Sequence, residues 1–303
     1  MNDEEYQQAI QAGQLAYQNE EWQVAIDTLV PAFAQNPTIQ IQKILGVSFA
    51  QLENFVDAWS YLQYAPQAYQ ESLEQAQFYL TVALKNTYFL AAREFALATA
   101  WNATLVAQIV TAEQAFRNSE VERLNTQARR FYHLSNYSLG EQNKILQQAE
   151  HLPLHEYVAS AQFLLIDPFL SAMTRNTILN RLRELVVHKE LAFHWLDGRQ
   201  LQVRPDTLPA VEAMPIYQTL TQGLNQLENR QDPLVSQILQ EQLRLEMLLT
   251  YPFSPLTTVD SESWFDNELA VLHQSTGRSE SPAQSEYHEL LRTEVRTLFN
   301  ALN

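Results

Sequence analysis

The 303-residue chain contains no cysteine, which excludes disulfides, thiolate metal ligation and cysteine nucleophiles together. It has only six glycines, each standing alone, at Gly13, Gly46, Gly140, Gly198, Gly223 and Gly277. A phosphate-cradling loop needs several glycines close together, because the backbone must approach the ligand and adopt positive φ, so neither a P-loop nor a dinucleotide fingerprint can form. Positive charge is scarce as well: 19 Lys and Arg face 35 Asp and Glu, for a formal charge of −16. Such a surface repels nucleic-acid phosphates and anionic lipid, and accommodates a neutral or basic protein partner more easily. No apolar run approaches the roughly 20 residues that span a bilayer. The opening Met1-Asn2-Asp3-Glu4-Glu5 has no apolar stretch of the signal-peptide kind. These absences lead to the expectation of a cytoplasmic protein with no membrane, nucleic-acid or cofactor association.

What the chain does have is Ala, Leu, Gln and Glu in abundance, the residues that lose least on entering a helix. Comparing the chain with itself reveals a period of 33 residues. Gly13 pairs with Gly46; Ala25, Ala58 and Ala91 keep the interval, as do Leu29, Leu62 and Phe95, then Ala32, Ala65 and Ala98. Aromatics keep step at Trp22, Phe55 and Tyr88. Small residues at Gly13 and Ala25 suit the crossing of two close-packed helices. Leu29 and Ala32 share a face with Ala25 and can meet the next unit. Asn36-Pro37 closes the first unit, since proline cannot continue a helix. In the third unit Tyr79 stands where the glycine is expected.

The order Gly13, Trp22, Ala25, Leu29, Ala32, Pro37, followed by Leu45-Gly46, Phe55, Ala58, Leu62 and Ala65, resembles the tetratricopeptide repeat. The resemblance implies an all-α fold, a superhelix of antiparallel helical hairpins, with units at about residues 6–38, 39–71 and 72–104 and a degenerate fourth at 105–136. It implies a protein-binding scaffold whose first helices line a concave groove. By register those groove positions are Gln7, Gln11, Gln14, Tyr17 and Gln18 in the first unit, Gln40, Lys43, Val47 and Gln51 in the second, and Gln77, Leu80 and Leu84 in the third. Relatives that clamp a peptide's carboxylate use cations there. This chain offers one lysine and a row of amides, which both donate and accept and so suit an extended peptide backbone or the polar side of a helix. Glutamine is also simply a good helix former, which accounts for the row without any ligand.

Residues 137–275 continue the helical pattern, broken by Pro153, Pro168, Pro205, Pro209, Pro215 and Pro233. Thr174 to Lys189 reads as an amphipathic helix. Across 190–204 the period changes to two: Leu191, Phe193 and Trp195 alternate with polar neighbours, Asp197-Gly198 follows, and Leu201 and Val203 alternate again, which predicts one small β-hairpin. Residues 276–303 comprise a linker and a last helix from Gln284 to Leu302, whose stripe Tyr287, Leu291, Val295, Leu298 and Leu302 offers a surface for self-association. This ordering is similar to a group of bacterial tetratricopeptide proteins of unassigned role.

Chemistry finds little support. His151 and His155 have an i, i+4 spacing, but Pro153 lies between them and Glu156 follows instead of completing HExxH. His188 and His194 straddle a helix-to-strand junction. No metal site or catalytic residue is expected, and there is no G-x-S-x-G. Arg123, Arg129 and Arg130, and Arg175, Arg181, Arg183 and Lys189, are interleaved with Glu120, Glu122, Glu184 and Glu190, the pattern of ion pairs on solvated faces. The expected function is therefore a non-enzymatic adaptor that binds a peptide or helix. The alternatives are a peptide-sensing regulator without its own DNA-binding domain and, remotely, a hydrolase with a helical accessory region.

Overall fold

The structure, a computed structural model, describes residues 2–228 and 232–302, without the side chains of 228 and 298–302. Leu298 and Leu302, the last members of the expected C-terminal stripe, therefore lie outside the described side chains. The described residues form an all-α fold with a single two-stranded antiparallel sheet. The chain divides into two compact units, residues 1–128 with 147–157, and residues 129–146 with 158–303. No described helix is long and apolar enough to cross a membrane.

The first unit opens with three helical hairpins. These are α1 (Asp3–Gln18) with α2 (Trp22–Gln35), α3 (Ile39–Gln51) with α4 (Phe55–Leu62), and α5 (Leu73–Lys85) with α6 (Phe89–Leu97). Each first helix is started by a polar side chain that satisfies an orphan N–H: Asn2, in a reciprocal box with Glu5, then Thr38 and Ser72. Each ends alike. Glu20, Glu53 and Thr87 take positive φ of 60°, 58° and 59°, and the next N–H reaches back five residues, Glu21 to Ala16, Asn54 to Phe49 and Tyr88 to Ala83. That is the Schellman closure, here reached without glycine. The three hairpins thus share one local device at the turn between their helices.

Inside the hairpins, a Cβ on Gly13 would stand 2.3 Å from Leu29 Cγ, and one on Gly46 would stand 2.3 Å from Leu62 Cδ1. The same glycine thus sits beneath the same leucine in units one and two. The third hairpin departs from the expected register. Its first helix ends 34, not 33, residues after that of the second, at Asn86 against Leu52. Counted from the helix end, Leu80 occupies the glycine position and Ala96 the leucine position. The bulk has crossed from the second helix to the first, and both residues are buried. Ala92, not Ala91, takes the place of Ala25 and Ala58 and shares their full burial. Ala98, expected in the core, is exposed. Tyr79 and Phe95 remain in the core and stack at 4.0 Å.

The chain continues through α7 (Asn102–Ser119), α8 (Val121–Tyr132), α9 (Leu139–Ala149) and α10 (Leu154–Leu164). In the first unit Glu113 of α7 is a buried hub. It accepts from Arg93 at 3.3 Å and from the Leu154 backbone N–H at 3.1 Å, with Arg117 at 3.8 Å.

The second unit contains α11 (Ala172–Glu184), the strands β1 (Leu191–His194) and β2 (Gln200–Val203), then α12 (Pro215–Glu228), α13 (Pro233–Thr250), α14 (Ser261–His273) and α15 (Pro282–Leu302). The hairpin has the expected register, Leu191 opposite Val203 and Phe193 opposite Leu201, with Gly198 at φ 87°. Leu191, Phe193 and Trp195 face the core. The Trp195 indole N–H donates to Thr250 O at 2.9 Å, which fastens the hairpin to the end of α13. The helix expected to run to Lys189 stops at Glu184, because Val186 adopts φ 52° and Val187 N–H closes back on Leu182 O. Arg175 corrects another expectation. It is not on a solvated face but buried, donating to the carbonyls of His194 (2.9 Å), Asp167 (3.0 Å) and Leu170. Arg181 and Arg183 do pair with Glu184.

Candidate functional site

The first helices α1, α3 and α5 border a groove of about 740 Å³. Of the twelve residues expected there, seven line it together: Gln14, Tyr17 and Gln18 from α1, and Gln40, Lys43, Val47 and Gln51 from α3. They converge because a helix presents i, i+3, i+4 and i+7 on one face, and the 33-residue interval places that face alike in both helices. Gln7, Gln11 and Gln77 are not part of the lining. Gln7 and Gln11 are exposed nearer the start of α1, and Gln77 is half-buried on α5. The third-unit wall comes instead from Ser72, Glu74, Gln75 and Phe78, because the extra residue rotates α5 relative to the expected register. The same rotation takes Leu80 into the core.

The groove has a polar rim and an aromatic floor. Tyr17 meets Trp22 edge-on at 5.6 Å. Lys43 lies 5.6 Å from the centre of the Tyr69 ring and 3.8 Å from the Glu71 carboxylate. Its charge is thus already partly answered, and Glu74 on the opposite wall adds an anion. Among the described residues the Gln14, Gln18, Gln40 and Gln51 amides have no hydrogen-bond partner, in contrast to Gln8 and Gln23, which bond to Glu4 and Asp27. Two buried groups at the floor are also unsatisfied, the Tyr69 hydroxyl and the Gln75 carbonyl oxygen. Burial, with Tyr17 close by, raises the Tyr69 phenol well above its ordinary pKa, so it stays a donor. A buried polar atom without a partner costs about 1–3 kcal/mol, and here a donor and an acceptor, both closed off from solvent, belong to residues that line one groove.

Tyr69 and Gln75 escaped the sequence reading for different reasons. Tyr69 lies in a short 3₁₀ turn, Pro66–Tyr69, outside any repeated helix position, and Gln75 lies beyond the register shift. The Pro66 and Tyr69 pair between two helical segments was the available signal.

The histidines weighed from sequence do not form a site. His151 is half-buried in the first unit, with Nδ1 3.0 Å from Thr87 Oγ1 and 3.1 Å from Asn86 O, and its ring packs tilted against Tyr88 at 4.2 Å. His155 is exposed, and Glu156 beside it is held by the Arg117 fork at 2.8 and 2.9 Å. His188 bonds to Asp206, at 2.9 Å. No protein-family model, curated protein or solved structure matches this chain.

Proposed function

We propose that the chain is a non-enzymatic binding scaffold of the tetratricopeptide kind, which holds an extended neutral or basic peptide in the groove of its first three hairpins. The observation that carries the reading is a groove rimmed by the unpartnered amides of Gln14, Gln18, Gln40 and Gln51 and lined by Tyr17 and Tyr69. A peptide backbone presents alternate C=O and N–H groups, which answer the glutamine row. The repeat identity is supported by the Gly13–Leu29 and Gly46–Leu62 contacts at one interval. Neutral or basic character follows from Glu74 on the wall, from Lys43 being engaged by Glu71, and from the overall charge of −16.

Tyr17 serves as the anchor, since an aromatic ring buries much area at small entropic cost and keeps a hydroxyl. The test is fluorescence anisotropy of the full chain against short unstructured peptides arrayed by net charge. Tyr17→Ala is expected to weaken the best binder at least about tenfold. Tyr69→Phe, which keeps shape and removes only the hydroxyl, is expected to weaken it about three- to tenfold. Lys43→Glu shifts preference further toward basic peptides. Equal affinity of wild type, Tyr17→Ala and Tyr69→Phe, at matched circular dichroism, would overturn the assignment.

A further inference from the structure

The second unit contains a buried constellation that no sequence motif announced. Glu246 on α13, Glu268 on α14 and His288 on α15 each offer one ligand atom, all within 4.8 Å of one another. Glu246 and His288 are fully buried and Glu268 is 7% exposed. From this geometry we propose that Glu246, Glu268 and His288 form a binding site for a divalent first-row transition-metal ion, with zinc(II) as its representative.

Three independent observations converge. The first concerns His288. Its Nδ1 is 3.1 Å from Glu280 Oε1, and the Glu280 side chain is itself buried. A carboxylate on one imidazole nitrogen fixes that N–H and leaves the other nitrogen's lone pair for a metal, the usual arrangement around ligating histidines. The free nitrogen, Nε2, is buried and makes no hydrogen bond. Glu268 Oε1 stands 2.6 Å from it, but off the direction required for a bond.

The second observation is that both carboxylates also have outer partners. Gln242 donates to Glu246 at 2.8 Å and the Trp264 indole N–H donates at 3.2 Å. Arg292 donates to Glu268 at 3.0 and 3.1 Å. Trp264 also stacks on the His288 ring at 4.1 Å, holding its plane. Each of the three helices supplies a ligand and, four residues away, a supporting side chain: Gln242 with Glu246, Trp264 with Glu268, His288 with Arg292. That spacing puts both on one helix face, so three helices aim six side chains at one point.

The third is charge. Glu246, Glu268 and Glu280 place three buried carboxylates around one guanidinium, Arg292, and one imidazole, an acidic cluster whose charge a divalent cation would offset. Unpaired charge in a low-dielectric interior is among the costliest states a fold can hold.

Imidazole nitrogen with two carboxylate oxygens selects a first-row metal over calcium or magnesium, which favour oxygen throughout. Ligand atoms about 2.0–2.2 Å from zinc stand about 3.3–3.6 Å apart in a tetrahedron. The 2.6 Å contact between His288 and Glu268 must therefore open by about an ångström. Access runs through a 510 Å³ groove whose wall includes Gln242, Glu268 and Arg292.

The test uses the full chain, stripped with chelator and titrated with cobalt(II) and zinc(II). One equivalent is expected to bind, with a d–d absorption band for cobalt and a metal-dependent rise in Tm. His288→Ala is expected to abolish the band and the rise, whatever its effect on basal stability. Glu280→Gln retains all three ligands and is expected to weaken affinity about 10–100-fold. Absence of saturable binding by the folded wild type would overturn the proposal. So would unchanged affinity in the double variant Glu246→Gln with His288→Ala, which would move the bound ion to other histidines.

Discussion

Replacing Gly13 by alanine tests the hairpin packing most directly. In an open helix interior this change stabilises by about 0.5–1 kcal/mol, because glycine loses more backbone freedom on folding. Here the added Cβ would stand 2.3 Å from Leu29 Cγ and 2.5 and 2.8 Å from its two Cδ atoms. Leu29 is fully buried, so its branch point, and not merely its tip, must move into a packed core. Overpacking of that kind costs about 1–3 kcal/mol, which exceeds the helical gain. Gly13→Ala is therefore expected to destabilise by about 1 kcal/mol. Leu29→Ala alone costs about 2–5 kcal/mol through the cavity it leaves. In that background the clash is gone, so Gly13→Ala becomes stabilising, and the cycle yields a coupling of about 1–3 kcal/mol.

Urea unfolding followed by circular dichroism and fluorescence measures all four proteins, taking the transition that moves with Leu29→Ala. Gly140→Ala, whose Cβ meets nothing within 4 Å, serves as control and is expected to be neutral or stabilising. Gly46→Ala is expected to cost less than Gly13→Ala, since only Leu62 Cδ1 lies in the way while Cγ is at 3.6 Å. A Gly13→Ala effect that is identical with and without Leu29 would refute the shared hairpin geometry.

Three further outcomes are expected. Glu113→Ala strips the buried Arg93 of its anion and the Leu154 N–H of its acceptor, so urea unfolding should show a loss of about 3–5 kcal/mol, with Arg93→Met/Glu113→Met recovering part of it. Burial lowers the His151 pKa from 6.5, with Arg123 adding to the shift and the Asn86 and Thr87 hydrogen bonds opposing it. The unfolded chain thus takes up the proton first, and the stability due to neutral His151 is present above about 6.5 and lost as pH falls through the folded value. Denaturation midpoints of wild type and His151→Gln should converge as pH drops from 7.5 toward 5, whereas parallel profiles would contradict this. Arg175→Lys cannot span the carbonyls of Asp167, Leu170 and His194, and a clear drop in Tm is expected even though charge is conserved.

Element identity was legible because it depends on local rules. Hydrophobic period, capping residues and the Asp197-Gly198 turn act over a few residues, and they located α15 and the hairpin to within a few positions. The groove was legible over two units for the same reason, since Gln14, Tyr17, Lys43, Val47 and Gln51 follow from helix period plus a constant interval. At the third unit that interval fails by one residue. Ala91 and Ala92 are neighbours of the same type, and only the position of the helix end at Asn86 distinguishes them. The exchange of Gly-under-Leu for Leu80 and Ala96 is a choice between two ways of filling one volume, which either sequence order permits.

The amino-acid sequence by itself determined the helical class, the two-residue period of the hairpin and the 33-residue interval of the first two units, because each is encoded by residues near one another in the chain. Tertiary structure alone decided what is buried together. Arg175 reads as a surface cation until three carbonyls from a loop and a strand close around it. Tyr69 reads as a turn residue until α3 and α5 make it a groove floor. Glu246, Glu268 and His288 are 22 and 20 residues apart along the chain, with no motif between them. Their meeting depends on how three helices cross, which is set by packing over the whole unit and by no local pattern.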